Sequence, residues 1–213
     1  MDPLTTSAWV ALVAAGVLAV GDWTAVLKKS KRLEYFLKPA TLAFLIVAAA
    51  TIDASDDAQR VAFAVALCFG LVGDVFLMLP DRFVPGLAAF LLGHVSYIVG
   101  LRIESGSGTA WTVATVVLVV AGFPLARRIV RGASEHNASL GNPVAAYTAV
   151  ITLMVSAAVV TGEPLAIAGA LLFYLSDTLI GWSRFVRPAA WAPLGIIVTY
   201  HLGQALLVAS LAA

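Results

Sequence analysis

Apolar residues in this chain come in long runs, and short polar turns separate one run from the next. A helix needs about 20 mostly apolar residues to cross a bilayer. Eight stretches meet that length, at roughly 7–27, 35–53, 59–79, 83–103, 109–127, 143–161, 164–183 and 190–211. The breaks have turn composition: Lys28 to Arg32, Asp53 to Asp57, Pro80-Asp81-Arg82, Glu104 to Gly108, Arg127 to Asn142, Gly162-Glu163-Pro164 and Arg184 to Pro188. The pattern predicts an all-α, polytopic integral membrane protein, a bundle of eight transmembrane helices forming one domain over residues 1–213. The shortest junction, Gly162-Glu163-Pro164, also fits a re-entrant hairpin. No basic stretch precedes the first run after Met1-Asp2-Pro3-Leu4, so that run is expected to be a retained helix and not a cleaved signal.

Composition narrows the class. The chain is 61% hydrophobic with a mean hydropathy of +0.97, far above a soluble domain. A net charge of only +1 implies no nucleic-acid partner, and nothing marks a protein partner. Cys68 is the one cysteine, which excludes an internal disulfide or a cysteine-held metal cluster, and its apolar setting predicts a packing role. The basic residues lie on one side. Loops joining helices one to two, three to four, five to six and seven to eight hold 11 of the 13 Lys and Arg residues, leaving Arg60 and Arg102 opposite. The positive-inside rule then places both termini outside the cytoplasm, in a cell membrane.

Polar residues inside the runs carry the candidate chemistry. An ionisable group at the centre of a membrane helix costs roughly 2.5–3.5 kcal/mol on the insertion scale, so it persists facing protein or a water-filled cavity. Asp74 follows Gly73, His94 follows Gly93 with Tyr97 a turn later, and Asp177 follows Ser176. Tyr200, His201 and Gln204 lie in the last run, and Tyr147, Thr148 and Thr152 share a face of the sixth. The orientation sets Asp74 and Asp177 toward the cytoplasmic end, with His94 and His201 deeper. Lys38-Pro39 opens the second helix, and Gly21-Asp22 faintly echoes Gly73-Asp74. Helices bearing Gly73, Gly93 and Gly169 are expected to wall a cavity that admits one alkyl chain.

Plain structural roles stand beside these. Asp22 reads as an interfacial residue near Lys28 and Lys29, Lys38 as a snorkelling lysine, His136 as a solvated loop residue, and Arg82, Arg127, Arg128, Arg184 and Arg187 as topology signals. A lone His94 or His201 is an ordinary interhelical hydrogen-bond partner. Asp74 and Asp177 resist that treatment, because neither has a basic neighbour in sequence. Two carboxyl groups in one cavity can divide into a neutral acid and an anion.

The run Gly73-Asp74 to Gly93-His94-Tyr97, together with Lys38-Pro39, Gly169 to Phe185 and Tyr200 to Ser210, resembles the YhhN family of multi-pass membrane proteins, which includes the lysoplasmalogenases. The resemblance covers most of the chain. Family positions carry over to Lys38, Asp74, His94, Asp177, Tyr200 and Gln204. It implies hydrolysis of the vinyl-ether bond of a lysophospholipid, giving a fatty aldehyde and a glycerophospho-base. Catalysis is then expected at Asp74 and Asp177. Substrate binding is expected at Lys38, His94, Tyr97, Tyr200, His201 and Gln204, with Lys38, Arg184 and Arg187 as a basic rim for phosphate. No metal and no cofactor are expected, and the implied partners are the lipid substrate and the bilayer. Three alternatives remain open: a metal-dependent intramembrane lipid hydrolase using Asp74, His94, Asp177 and His201; an intramembrane aspartyl protease; and a non-enzymatic lipid or proton-coupled transporter.

Overall fold

A computed structural model describes residues 4–103 and 107–213. The opening Met1-Asp2-Pro3 and most of the Glu104 to Gly108 turn lie outside them. The described chain is helical, with no strand. Its helices are α1 (Thr6–Leu27), α2 (Lys31–Thr51), α3 (Asp57–Met78), α4 (Phe83–Ile103), α5 (Gly108–His136), α6 (Gly141–Thr161), α7 (Pro164–Phe185) and α8 (Ala192–Ala209). All eight are long and apolar enough to cross a membrane, as a multi-pass membrane protein requires.

The helix ends follow from local chemistry. Asp56 caps α3 by accepting from the amides of Ala58 and Gln59. Gly162 ends α6 in the left-handed region at φ 73°, which glycine adopts without a Cβ penalty. Glu163 then caps α7 through Leu165 and Ala166, and Pro164 fills a first-turn position where its missing N–H costs nothing. Two residues, Gly162 and Glu163, therefore suffice to separate two full spans, and the re-entrant hairpin is not formed.

Two boundaries differ from the sequence expectation. The second helix begins at Lys31, so Lys38 and Pro39 sit two turns inside it rather than at its start. The fifth continues to His136, because Arg127 to Glu135 form an exposed helical extension carrying an Arg131–Glu135 ion pair of 2.8 Å. His136 is thus the last residue of a helix and not a loop residue, exposed with its ring 6.1 Å from that of Phe185.

Packing turns small residues inward and β-branched ones toward lipid. On α1, Ala8, Ala11, Ala15 and Ala19 are buried, while Val10, Val13, Val17 and Val20 are exposed. Lipid is as apolar as valine, so helix association in a membrane rests on close packing of small side chains. That alanine stripe is interrupted by Asp22, which is fully buried, and resumes at Ala25. Cys68 does the reverse of its expectation and faces outward.

Helices α1, α2, α3, α4, α6, α7 and α8 pack in that order, and α8 returns to α1, closing a ring. α8 leans inward and also touches α2 and α3. α5 stays outside the ring against α6 and α7, with only Ile129 and Ala133 buried among its side chains.

Candidate active site

Three ring helices bring one polar side chain each to a common point. His94 of α4 is fully buried, its Nε2 2.8 Å from the Tyr147 hydroxyl of α6 and 3.2 Å from Asp177 Oδ2 of α7. Tyr147 donates to the same carboxylate oxygen at 2.5 Å. His94 Nδ1 lies 3.1 Å from the Met154 sulfur. All these contacts are satisfied together when a proton is shared within the Asp177–His94–Tyr147 group. Asp177 Oδ1 makes no hydrogen bond among the described residues.

A second group lies across the ring. Lys38 Nζ of α2 forms a 2.8 Å ion pair with Asp74 Oδ1 of α3, and Tyr200 of α8 donates to Asp74 Oδ2 at 2.9 Å. The Lys38 ammonium also lies 5.4 Å from the Tyr200 ring centroid. Tyr97 donates to Gln204 Oε1 at 2.5 Å. His201 accepts from the Trp23 indole at Nδ1, 3.2 Å away, which leaves the ring proton on Nε2. Neither that nitrogen, nor Gln204 Nε2, nor either carboxylate oxygen of Asp22 has a hydrogen-bond partner among the described residues.

Aromatic rings join the two groups. Phe173 stands edge-on to His94 (4.7 Å), to Tyr200 (5.3 Å) and to Phe90 (6.2 Å). Phe90 packs on the backbone of Gly73, where any Cβ would come within 2.6 Å of its ring. The glycine before Asp74 is therefore required by the ring beside it.

Next to the first group is a narrow apolar slot of about 60 Å³ between α4, α5, α6 and α7. Leu87, Phe90, Ile129 and Val144 line it, and Asp177 and Tyr147 supply polar groups midway along it. Phe83 and Phe185 lie at its mouth, where the Arg184 guanidinium stacks 4.1 Å over Phe83.

Several sequence expectations change here. Of the eight expected site residues, Asp177 alone lines the slot; Asp74 does not, since Phe90 is the lining residue on that side. Lys38 is committed to Asp74, its side chain 14% exposed, and is neither a snorkelling lysine nor a free phosphate rim. His94 is at the level of Asp177 rather than deeper than it. Among the described residues no three of His, Cys, Asp and Glu converge in a metal-holding cluster. Asp22 is buried rather than interfacial. Gly73, Gly93 and Gly169 lie in helix contacts and leave the slot to other residues. Tyr147 was visible only as part of a polar helix face; a tyrosine at membrane depth beside Thr148 was its signal.

A ring of spanning helices that buries a carboxyl, an imidazole and a phenol beside an apolar slot defines a multi-pass membrane protein with a polar site inside its bundle. The chain belongs to the YhhN family, whose sequence profile matches residues 33–211. It is similar to human lysoplasmalogenase TMEM86B, 32% identical over 145 residues that make up 68% of this chain and 61% of the human protein. The rat lysoplasmalogenase TMEM86B is 34% identical over 148 residues, 68% of this chain and 59% of that one. The mouse protein of the same name is 33% identical over 148 residues, with shares of 68% and 61%. The match thus spans about three fifths of these relatives' length. No solved structure matches.

Proposed function

We propose that this protein is a lysoplasmalogenase-type hydrolase that opens the vinyl-ether bond of a single-chain phospholipid. The observation that carries the reading is the position of Asp177 in the slot: the carboxyl, whose partners Tyr147 and His94 both lie on Oδ2, stands in the wall of an apolar channel that continues a turn past it to Ile151 and Tyr174. The relatives named lysoplasmalogenase support the same chemistry.

The reaction follows from the groups present. The Asp177 group delivers its proton to the β-carbon of the vinyl ether, and the double-bond electron pair forms the new C–H bond. An ether-oxygen lone pair then makes the α-carbon an oxocarbenium ion. The ring face of Phe90 and the carboxylate left on Asp177 stabilise that cation. Water adds to the α-carbon and returns a proton to Asp177. The resulting hemiacetal breaks its glycerol C–O bond, releasing aldehyde and a free glycerol hydroxyl. The sum is one water consumed, as in other oxocarbenium hydrolyses run by carboxyl groups. Asp74, set behind Phe90, acts with Lys38 to fix Tyr200 and the aromatic wall. Tyr97, His201 and Gln204 support the wall from α4 and α8. The basic ends of the helices face the cytoplasm, which puts the slot mouth and Arg184 at the inner leaflet.

The test is a panel of single-chain lipids bearing vinyl-ether, ester and alkyl-ether linkages, with aldehyde release measured. Only the vinyl ether should turn over. Asp177→Asn should lower the rate by at least about a hundredfold, the lower end of what general acid catalysis supplies. Fatty acid released from the ester, or normal turnover by Asp177→Asn, would refute the mechanism.

A further inference from the structure

The slot has a neighbour. Between α5 and α6 runs a second apolar groove, open to the membrane side, with Tyr174 of α7 as its floor. Gly122, Phe123 and Thr152 line its middle, and Arg127 and Arg131 stand at one end. The partition between groove and slot is thin: Ala126, Thr148 and Tyr174 line both. Tyr174 lines a further hollow toward Leu171 as well, so it borders open space on three sides.

Three features make this partition movable. The Tyr174 hydroxyl makes no hydrogen bond among the described residues, so nothing polar fixes the ring. Gly122 leaves it room; a Cβ there would lie 3.0 Å from the hydroxyl oxygen. Pro124, two residues on, removes one backbone hydrogen bond from α5, the helix that lies outside the ring. A proline-weakened helix with few buried side chains can shift without disturbing the ring.

The groove's chemistry names its occupant. It is apolar along its length and cationic at one end, complementary to an alkyl chain with an anionic head. Arg131 is shared with Glu135, whereas Arg127 makes no ion pair among the described residues and offers its guanidinium to phosphate. We infer that the α5–α6 groove is a lateral portal through which a single-chain phospholipid passes from the bilayer into the Asp177 slot, with Tyr174 as the gate and Arg127 holding the phosphate. The identity of the lipid rests on the hydrolase reading above; the portal itself rests on the groove.

The full-length protein in nanodiscs is irradiated with an alkyl-ether lysophosphocholine carrying a diazirine midway along its chain. That probe reports binding and is not hydrolysed. Labels are expected on α5 around Gly122 and, beyond the partition, on Ile151 and Thr178. Gly122→Val fills the space the Tyr174 hydroxyl uses. It should abolish the label on Ile151 and Thr178 while keeping that on α5, and Tyr174→Ala in the same chain should bring the slot label back. Gly122→Ala, with its smaller intrusion, should give an intermediate loss. Elution and melting of each variant as for the parent protein verify folding. Arg127→Gln should weaken labelling by the phospholipid probe and spare a neutral alkylglycerol probe. Undiminished slot labelling in Gly122→Val would overturn the portal and leave entry by the Phe83–Phe185 mouth. Equal loss of both probes in Arg127→Gln would overturn the phosphate contact. Groove and slot labelled in a protein that releases no aldehyde from the vinyl ether would keep the portal and refute the hydrolase reading; equal aldehyde release by parent and Gly122→Val would do the opposite.

Discussion

Lys38 and Asp74 give opposite answers to one question depending on whether they are seen singly or paired. Asp74 alone in an apolar run looks like a charge whose neutralisation relieves a desolvation cost. With Lys38 Nζ 2.8 Å away and that lysine side chain 14% exposed, the pair must be treated as a unit. Breaking a buried ion pair by removing one partner costs about 3–5 kcal/mol, because the other charge is left uncompensated. Asp74→Asn is therefore expected to destabilise the protein and lower its melting temperature. Lys38→Met with Asp74→Leu should recover most of the loss, since well-packed apolar replacements of buried pairs are often neutral. Additive destabilisation in the double variant would count against the pair. Asp177→Asn, which keeps a side-chain oxygen for Tyr147 and His94 to meet, should melt close to the parent protein. Asp74, Asp177 and His94 were legible in the sequence because hydrocarbon makes any polar residue conspicuous. Their partners were not. Lys38 and Asp74 are 36 positions apart, and only the α2–α3 contact reveals that they meet.

The elements themselves were legible, since eight apolar runs became eight helices, but their ends were less so. Arg127 to Glu135 look like a loop by hydropathy, yet the backbone continues helical because nothing there stops it until Asn137. That extension matters at Gly132, where a Cβ would meet the Phe185 carbonyl oxygen at the end of α7. Gly132→Leu should thus separate the outer end of α5 from α7. Amide hydrogen exchange is expected to rise over Ile129 to His136 while α1 to α4 stay as protected as before. Unchanged exchange in α5 would mean that this contact does not hold the extension down. A loop-borne reporter likewise belongs at Asn137, the break between helices, rather than at Gly132.

At the scale of the molecule, the eleven-to-two partition of basic residues fixes the proposed orientation. A reporter inserted at Asn137 should read cytoplasmic, and one fused after Ala213 should read extracytoplasmic. The reverse pair would move the slot mouth to the other leaflet. The asymmetry could be read along the chain because it depends only on which loops hold Lys and Arg. The order of helices around the ring could not, since hydropathy carries no record of which spans are neighbours. That α5 stands outside and α4 meets α6 is a property of packing alone.

A ring of seven cannot alternate. Successive spans reverse direction, so neighbours around an even ring can all be antiparallel, but an odd ring must contain one pair that runs the same way. Here that pair is α4 and α6, and α5 is the crossover that parity demands. Parallel neighbours set like dipole ends side by side, an arrangement disfavoured on its own. Both helices begin on the basic side, so their positive ends stand together beside Phe83 and Val144, where the slot opens. The mismatch that arithmetic forces on the bundle becomes a standing positive potential at this end of the slot.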